Sequence, residues 1–255
     1  MREVFVLPKA DDSVSWLAPP ELPVLNNEEV HVWRVPLEMT PYHLKALERL
    51  LSADESDRAG RFHFQKDRDH FVAARGVLRS ILGRYLKTNP ANLKFSYGPY
   101  GKPELEKNTN QEMIRFNISH SRGLALCAVT HKREIGVDLE YINYDSSFGS
   151  IAEQYFSRRE AAAFNAFPEH LRPQLFFQLW TRKEACLKAQ GRGLSGGLKQ
   201  VPIPGFTGEF RGTNGPSQEE SLWLLLDLAV LPEYASALVV EGHDLQFKFW
   251  QWDKA

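Results

Sequence analysis

The chain has 255 residues, 43% hydrophobic and 25% charged, the composition of an ordinary globular protein, which excludes wholesale disorder. A formal net charge of −1 gives no overall pull toward nucleic acid or acidic lipid, so any anion site has to be assembled locally. Cys127 and Cys186 form no CxxC or zinc-type spacing and read as small core side chains, so no disulfide framework is implied and a reducing cytoplasm suits the chain.

The size admits one large domain or two modest ones. The opening residues lack the basic head and apolar run of a secretory leader. The apolar stretch at 222–231 is too short to cross a bilayer and contains Asp227, so no membrane association is expected.

In chain order, the first thirty residues are rich in proline and acids and read as an irregular lead-in. Residues 31–37 form a strand. Thr40 suits a helix N-cap and Pro41 the first helical position, opening a helix that reaches about Leu51. Residues 52–88 carry a helical period: Phe71, Ala74, Leu78, Leu82 and Tyr85 recur at three- and four-residue steps and mark a buried face. Arg68, Arg75 and Arg79 recur on the same helix, and the plain reading for at least one is a solvated basic face. Thr88-Asn89-Pro90 ends the helix.

Residues 93–130 are rich in strand formers, 131–134 is a polar turn, and 135–140 is a further strand followed by a loop at 143–150. Helices return over 151–191 in at least three pieces. From Val201 onward the pattern is β again, with a turn or exposed loop at 212–220. The order suggests two α+β halves, residues 1–133 and 134–255, with the boundary at the 131–134 turn.

The strand Ile135-Gly136-Val137-Asp138-Leu139-Glu140 alternates apolar and other residues, so Asp138 and Glu140 share a face with Gly136 while Ile135, Val137 and Leu139 point into a core. Two carboxylates on one face repel unless a cation lies between them, and Mg²⁺ prefers such oxygen ligands; an exposed acidic strand face is the bland alternative. Glu184 and Lys188 lie four apart on one helix face, where an ordinary surface ion pair is equally possible. Thr181-x-x-Glu184 and Ser157-x-x-Glu160 also read as capping boxes. The cluster Asn117-Ile118-Ser119-His120-Ser121 offers hydroxyls and an imidazole to a phosphate, and Lys102 sits in a Gly-Lys-Pro turn.

Taken in order, IGVDLE at 135–140, WTRKEACLK at 180–188, GKP at 101–103, FNISHS at 116–121, FSRRE at 156–160 and GRGLS at 191–195 resemble the Sfp-type 4′-phosphopantetheinyl transferases. Six linked motifs carry the resemblance over about residues 51–195; the tail beyond Val201 has no matching motif. The resemblance implies two similar α+β halves related by a pseudo-twofold axis with coenzyme A in the cleft between them. It also implies an Mg²⁺-dependent enzyme (Mn²⁺ being a possible substitute) that moves phosphopantetheine from coenzyme A to a serine of an apo acyl, polyketide or peptidyl carrier protein. Such an enzyme would serve fatty-acid, polyketide or nonribosomal peptide synthesis from the cytoplasm, as a monomer, with no nucleic-acid partner.

Carried over by position, Asp138, Glu140 and Glu184 would hold the metal against the pyrophosphate, and Lys188 would contact the phosphate whose bond breaks. Ser119 and His120, with Arg58, would grip the 3′-phosphate. Lys102 and Pro103 would line the adenine and phosphate side, and Glu160 matches the general base proposed for bacterial members. Arg158, Arg159, Arg172 and Arg182 are candidates to meet an acidic carrier protein. Glu55 stands where some members carry lysine, which changes how the 3′-phosphate grip is divided. Two rivals stay open: a non-catalytic binder of coenzyme A or carrier protein on the same fold, and a Mg²⁺-dependent phosphohydrolase.

Overall fold

The computed structural model describes residues 14–107, 112–144, 148–192, 197–201, 207–214 and 219–253. The opening segment, the Gly193–Ser195 end of the GRGLS motif, and residues 145–147 and 215–218, expected as parts of loops, lie outside the described residues. The rest is mixed helix and sheet, as expected, in two compact units. One contains residues 15–97, 103–132 and those from 246 onward; the other contains residues 98–102 and 133–245. No helix among the described residues is long and apolar enough to cross a membrane.

The first unit carries a four-stranded sheet of β1 (Glu29–Pro36), β4 (Ile114–Ser121), β5 (Leu124–His131) and β10 (Gln246–Gln251). The order is β10-β1-β5-β4, and β1 runs antiparallel to β5 but parallel to β10. A two-stranded ribbon, β2 (Phe95–Tyr97) with β3 (Pro103–Leu105), accompanies it. Thr40 caps α1 (Pro41–Glu48) by accepting from the His43 N–H, with Pro41 in the first turn as expected.

The stretch expected as one helix over 52–88 is two: α2 (Ala53–Ala59) and α3 (Gln65–Leu86). Ser52 and Glu55 form a capping box that starts α2, and the helix closes at Gly60. Lys87, in the left-handed region (φ 50°), ends α3 one turn before Pro90. The predicted face of α3 is buried: Ala74, Leu78, Leu82 and Tyr85, joined by Val77 and Ile81, pack with Trp33, Val35, Phe116 and Cys127 in one core, while Phe71 packs with Ala59 and Val72 in another. α3 approaches α1 closely because Gly76 has no Cβ; one would meet the Leu47 Cβ at 2.6 Å.

The arginines of α3 are mostly not a solvated face. Arg75 and Arg79 are buried and converge on Glu55, itself 2% exposed. Arg75 Nε donates to Glu55 Oε1 at 2.8 Å and Arg79 Nε to Oε2 at 2.6 Å. Arg79 also donates to the Pro90 and Leu93 carbonyls at 3.0 Å. Only Arg68 behaves as a surface residue, pairing with Glu48. The acid that departs from the family's lysine is therefore an internal counterion that joins α2 to α3, and the paired guanidiniums hold its carboxyl below the usual range against the cost of burial. Glu55→Ala leaves two buried cations unneutralised and is expected to cost about 3–5 kcal/mol of stability in urea unfolding. A loss under 1 kcal/mol would show the pair to be dispensable.

A second buried cluster links the sheet to α3. His31, 1% exposed, bonds through Nδ1 to the Tyr85 hydroxyl at 2.7 Å, and Trp33 Nε1 donates to the same oxygen at 2.9 Å. Glu29 lies 3.5 Å from His31 Nε2 and pairs with Lys248 of β10. Burial pushes the imidazole down to about 4, outweighing the upward pull of Glu29. A depressed folded-state value means that the unfolded chain binds the proton more readily. The contribution is therefore full above the unfolded value near 6.5 and is lost as pH falls toward 4. Stability is expected to drop by about 3 kcal/mol across that window, and His31→Gln should flatten the dependence in pH-resolved denaturation.

The second unit has an antiparallel sheet of β6 (Ile135–Tyr141), β7 (Gly208–Asn214), β8 (Glu219–Asp227) and β9 (Tyr234–Glu241), ordered β6-β9-β8-β7. Its helices are α4 (Gly149–Tyr155), α5 (Arg158–Ala166) and α6 (Arg172–Ala189), the three pieces expected over 151–191. Phe148, Phe156, Phe164 and Phe176 form the core beneath them. β7 lies within the stretch expected to be β from Val201 onward, but runs further than expected. It occupies part of the predicted 212–220 turn, with Phe210 opposite the fully buried Trp223 of β8.

Candidate active site

The site is built where α6 crosses β6. Gly136, Asp138 and Glu140 share one face of the strand, as the alternation predicted. A Cβ at Gly136 would sit 3.0 Å from the Ala189 Cα and closer still to the Ala185 carbonyl oxygen and the Ala189 nitrogen. Glycine there lets the α6 backbone lie against β6. Helix residues one step from Ala185 and Ala189, namely Glu184 and Lys188, then come over the carboxylates.

Lys188 Nζ donates to Asp138 Oδ1 at 2.6 Å and to the Val137 carbonyl at 3.2 Å. Lys188 therefore engages β6 and is not part of a surface pair with Glu184. The Asp138 side chain is 4% exposed and that of Lys188 28%. Glu184 Oε1 is buried and has no hydrogen-bond partner among the described residues. Burial first, then Asp138 and Glu140, raise the Glu184 carboxyl to about 7 against the opposing pull of Lys188. Asp138 and Glu140 thus act on Glu184 electrostatically beside the Lys188 ammonium, and Glu184 keeps a buried oxygen with no hydrogen bond among the described residues.

Among the described residues, no three Asp, Glu, His or Cys side chains are gathered closely enough to hold a metal ion as they stand. The donor set nevertheless fits a hard divalent cation, since oxygen ligands of the same charge, one raised toward neutrality by the others, are what such an ion relieves. Asp138, Glu140 and Glu184 are the residues that could hold it.

α6 is fixed on the sheet by a second contact. Asp227 of β8 lies opposite Ala237 of β9, which lies opposite Asp138, so all three point to the α6 side. Arg182 donates to both Asp227 oxygens, at 2.9 and 2.6 Å, and Gln178 Nε2 donates to Oδ2 at 2.9 Å. This corrects the expectation that Arg182 meets a carrier protein: it is 1% exposed and spent on Asp227. Arg172 hydrogen-bonds the Phe167 and Asn165 carbonyls at the end of α5. Arg158 and Arg159, at the start of α5, are exposed.

Thr181 is not an N-cap. It lies in mid-helix and its hydroxyl donates to the Gln178 carbonyl at 3.1 Å. Ser157-x-x-Glu160 is a true capping box. Glu160 is 6% exposed; its Oε2 accepts from the Ser157 N–H at 2.7 Å and lies 3.0 Å from Lys183 Nζ. Lys102 reaches Glu134 Oε2 and the Ile135 carbonyl at 3.2 Å and the Ala189 carbonyl at 3.4 Å, placing its charge at the C-terminal end of α6. In the other unit, Ser119 is buried and His120 exposed at the end of β4, Pro103 opens β3, and Arg58 is exposed on α2 with its guanidinium over Phe71.

Sequence reasoning missed Lys183 and Asp227. Asp227 falls inside an apolar run and carried no signal. Lys183 could have been flagged, because it lies four residues beyond Leu179 on the buried stripe.

Comparison with known proteins matches both parts of the chain. Residues 134–239 match the family described as 4′-phosphopantetheinyl transferase superfamily, and residues 38–132 match 4′-phosphopantetheinyl transferase, N-terminal. The chain is 40% identical to the 4′-phosphopantetheinyl transferase HetI of Nostoc sp., over 93% of this chain and 98% of that one. It is 29% identical to the 4′-phosphopantetheinyl transferase Sfp of Bacillus subtilis, over 62% of this chain and 65% of that one. It is 26% identical to the human L-aminoadipate-semialdehyde dehydrogenase-phosphopantetheinyl transferase, over 60% of this chain and 52% of that one. With close-packed α6 and β6 bringing Lys188 to Asp138, and with both parts of the sequence matched, the chain belongs to the 4′-phosphopantetheinyl transferase superfamily and is an enzyme of the Sfp type.

Proposed function

We propose that this enzyme transfers the 4′-phosphopantetheine group of coenzyme A to a serine of an apo carrier protein, with Mg²⁺ held by Asp138, Glu140 and Glu184. The observation that carries the reading is the Gly136 crossing, where Lys188 bonds Asp138 and where Asp138 and Glu140 raise the carboxyl of Glu184. In the reaction the serine oxygen forms a bond to the β-phosphorus of coenzyme A. The bond from that phosphorus to the bridging oxygen breaks, the serine hydroxyl proton passes to water, and 3′,5′-ADP leaves. The bound cation would supply charge neutralisation on the pyrophosphate.

The chain's own groups do the remaining work. Asp138, backed by the Lys188 ammonium, orients the acidic cluster. Lys188, partly exposed, offers its positive charge to the oxygen that accumulates charge as the bond breaks. Arg58, Ser119 and His120 are assigned to the 3′-phosphate and Pro103 to the adenine side. Lys102 is assigned with them, although its ammonium is already engaged with Glu134 and the end of α6. Arg158 and Arg159 are the basic side chains offered to an acidic carrier domain.

The test is intact-mass spectrometry of apo acyl, polyketide and peptidyl carrier domains after incubation with enzyme, coenzyme A and Mg²⁺. A gain of one phosphopantetheine, abolished by EDTA, with 3′,5′-ADP released only when a carrier is present, is the expected result. Release of 3′,5′-ADP without a carrier would support a phosphohydrolase. Binding of coenzyme A with neither release nor mass gain would support a non-catalytic binder.

A further inference from the structure

Lys183 is one of the largest fully buried side chains of the molecule, 0% exposed. Its ammonium faces three oxygens from two separate parts of the unit: Glu160 Oε2 at 3.0 Å, and the Leu198 and Val201 carbonyls at 2.9 and 3.1 Å. Glu160 is in turn the third residue of α5 and closes its capping box. One buried charge pair thus ties the start of α5 and the segment at 198–201 to α6, at the residue immediately before Glu184. One Glu160 oxygen, Oε2, both accepts from the Ser157 N–H and faces the ammonium.

We infer that Glu160 and Lys183 form an internal clamp, and that Glu160 is a positioning residue for α6 and Glu184 instead of the base that takes the serine proton. The inference rests on the transfer reaction proposed above. A base needs an oxygen within reach of the substrate hydroxyl, directly or through one water, and a lone pair not committed elsewhere. The Glu160 side chain is 8% exposed, and its Oε2 is committed to the Ser157 N–H at the start of α5 and to Lys183. A buried ammonium in turn requires its counterion: removing either partner leaves an uncompensated charge, whereas replacing both with apolar groups of similar volume is tolerated.

The experiment uses the full chain, with wild type, Glu160→Gln, Glu160→Met, Lys183→Met and the double Glu160→Met/Lys183→Met. Melting temperature and kcat against pH are measured for each. Glu160→Gln keeps an acceptor for Lys183 and for the Ser157 N–H but not the counter-charge, so it is expected to melt lower than wild type by less than the methionine variants, with kcat within about tenfold and the acid limb of the pH profile intact. Each single methionine variant is expected to melt ~10 °C lower, and the double variant to recover most of that loss. Two results overturn the inference: a Glu160→Gln enzyme that melts normally but turns over at least a hundredfold more slowly and has lost the acid limb, as expected of a base; or melting losses that simply add in the double variant. The melting comparison does not depend on any reaction, so a wild-type enzyme with no transferase activity would defeat the proposed function without deciding the clamp.

Discussion

Gly136→Ala is expected to lower the transfer rate by at least a hundredfold and to destabilise the protein. The added methyl would collide with the Ala185 carbonyl and the Ala189 backbone, and backbone cannot rotate aside as a flexible side chain can. Overpacking of this kind costs about 1–3 kcal/mol, which in a chain of this size lowers the melting point by roughly 3–10 °C. The larger effect falls on chemistry, because α6 can accommodate the methyl only by lifting from β6. That movement lengthens the 2.6 Å contact between Lys188 and Asp138 and moves Glu184 with it, and misplacement by about 1 Å can cost ~100-fold in rate. Trimming the helix side chains should not rescue the variant, since the clash is with main chain. Near-normal turnover in Gly136→Ala would mean that the close crossing is incidental to the reaction.

Glu184→Ala is expected to separate activity from stability. Turnover should fall by about a thousandfold, the scale of losing several kcal/mol of charge stabilisation at the reacting phosphate. The melting point of the metal-free protein, by contrast, should hold or rise. Glu184 has a buried oxygen without a hydrogen bond among the described residues and feels the charges of Asp138 and Glu140, so its removal relieves both desolvation and like-charge repulsion. Functional sites commonly store destabilisation of this sort. Thermal melts in EDTA alongside transfer assays check both parts. A clear fall in melting point would show that Glu184 stabilises the fold after all.

How far the sequence disclosed this arrangement depends on the range of each interaction. The alternation in 135–140 correctly placed Asp138 and Glu140 on Gly136's face, because strand periodicity is a local property. The apolar period of α3 gave its buried face for the same reason. The partners of charged groups were harder. Arg75 and Arg79 repeat like a surface stripe, and only the folding of α2 back onto α3 brings Glu55 between them. Glu184 and Lys188 have the spacing of a helix pair, yet Lys188 bonds a residue fifty positions earlier. Thr181 had the motif of a cap but not the position, because Arg172-Pro173 had already begun α6. Glu160 and Lys183 fall within recognisable motifs, while their meeting depends on how α5 packs on α6.

The placement of β10 bears on how this polypeptide is made. In the first unit's sheet, β1 lies between β5 and β10, and β10 is synthesised only after the whole of the other unit. Until it emerges from the ribosome, one edge of β1 is open and Glu29 lacks Lys248. Trp250 and Trp252 are also still missing from the core around Trp33. The earlier strands of that sheet must therefore wait, exposed along one edge, while the second unit is translated. A nascent chain halted at Leu245 should accordingly be more sensitive to proteases than the released protein and engage chaperones for longer.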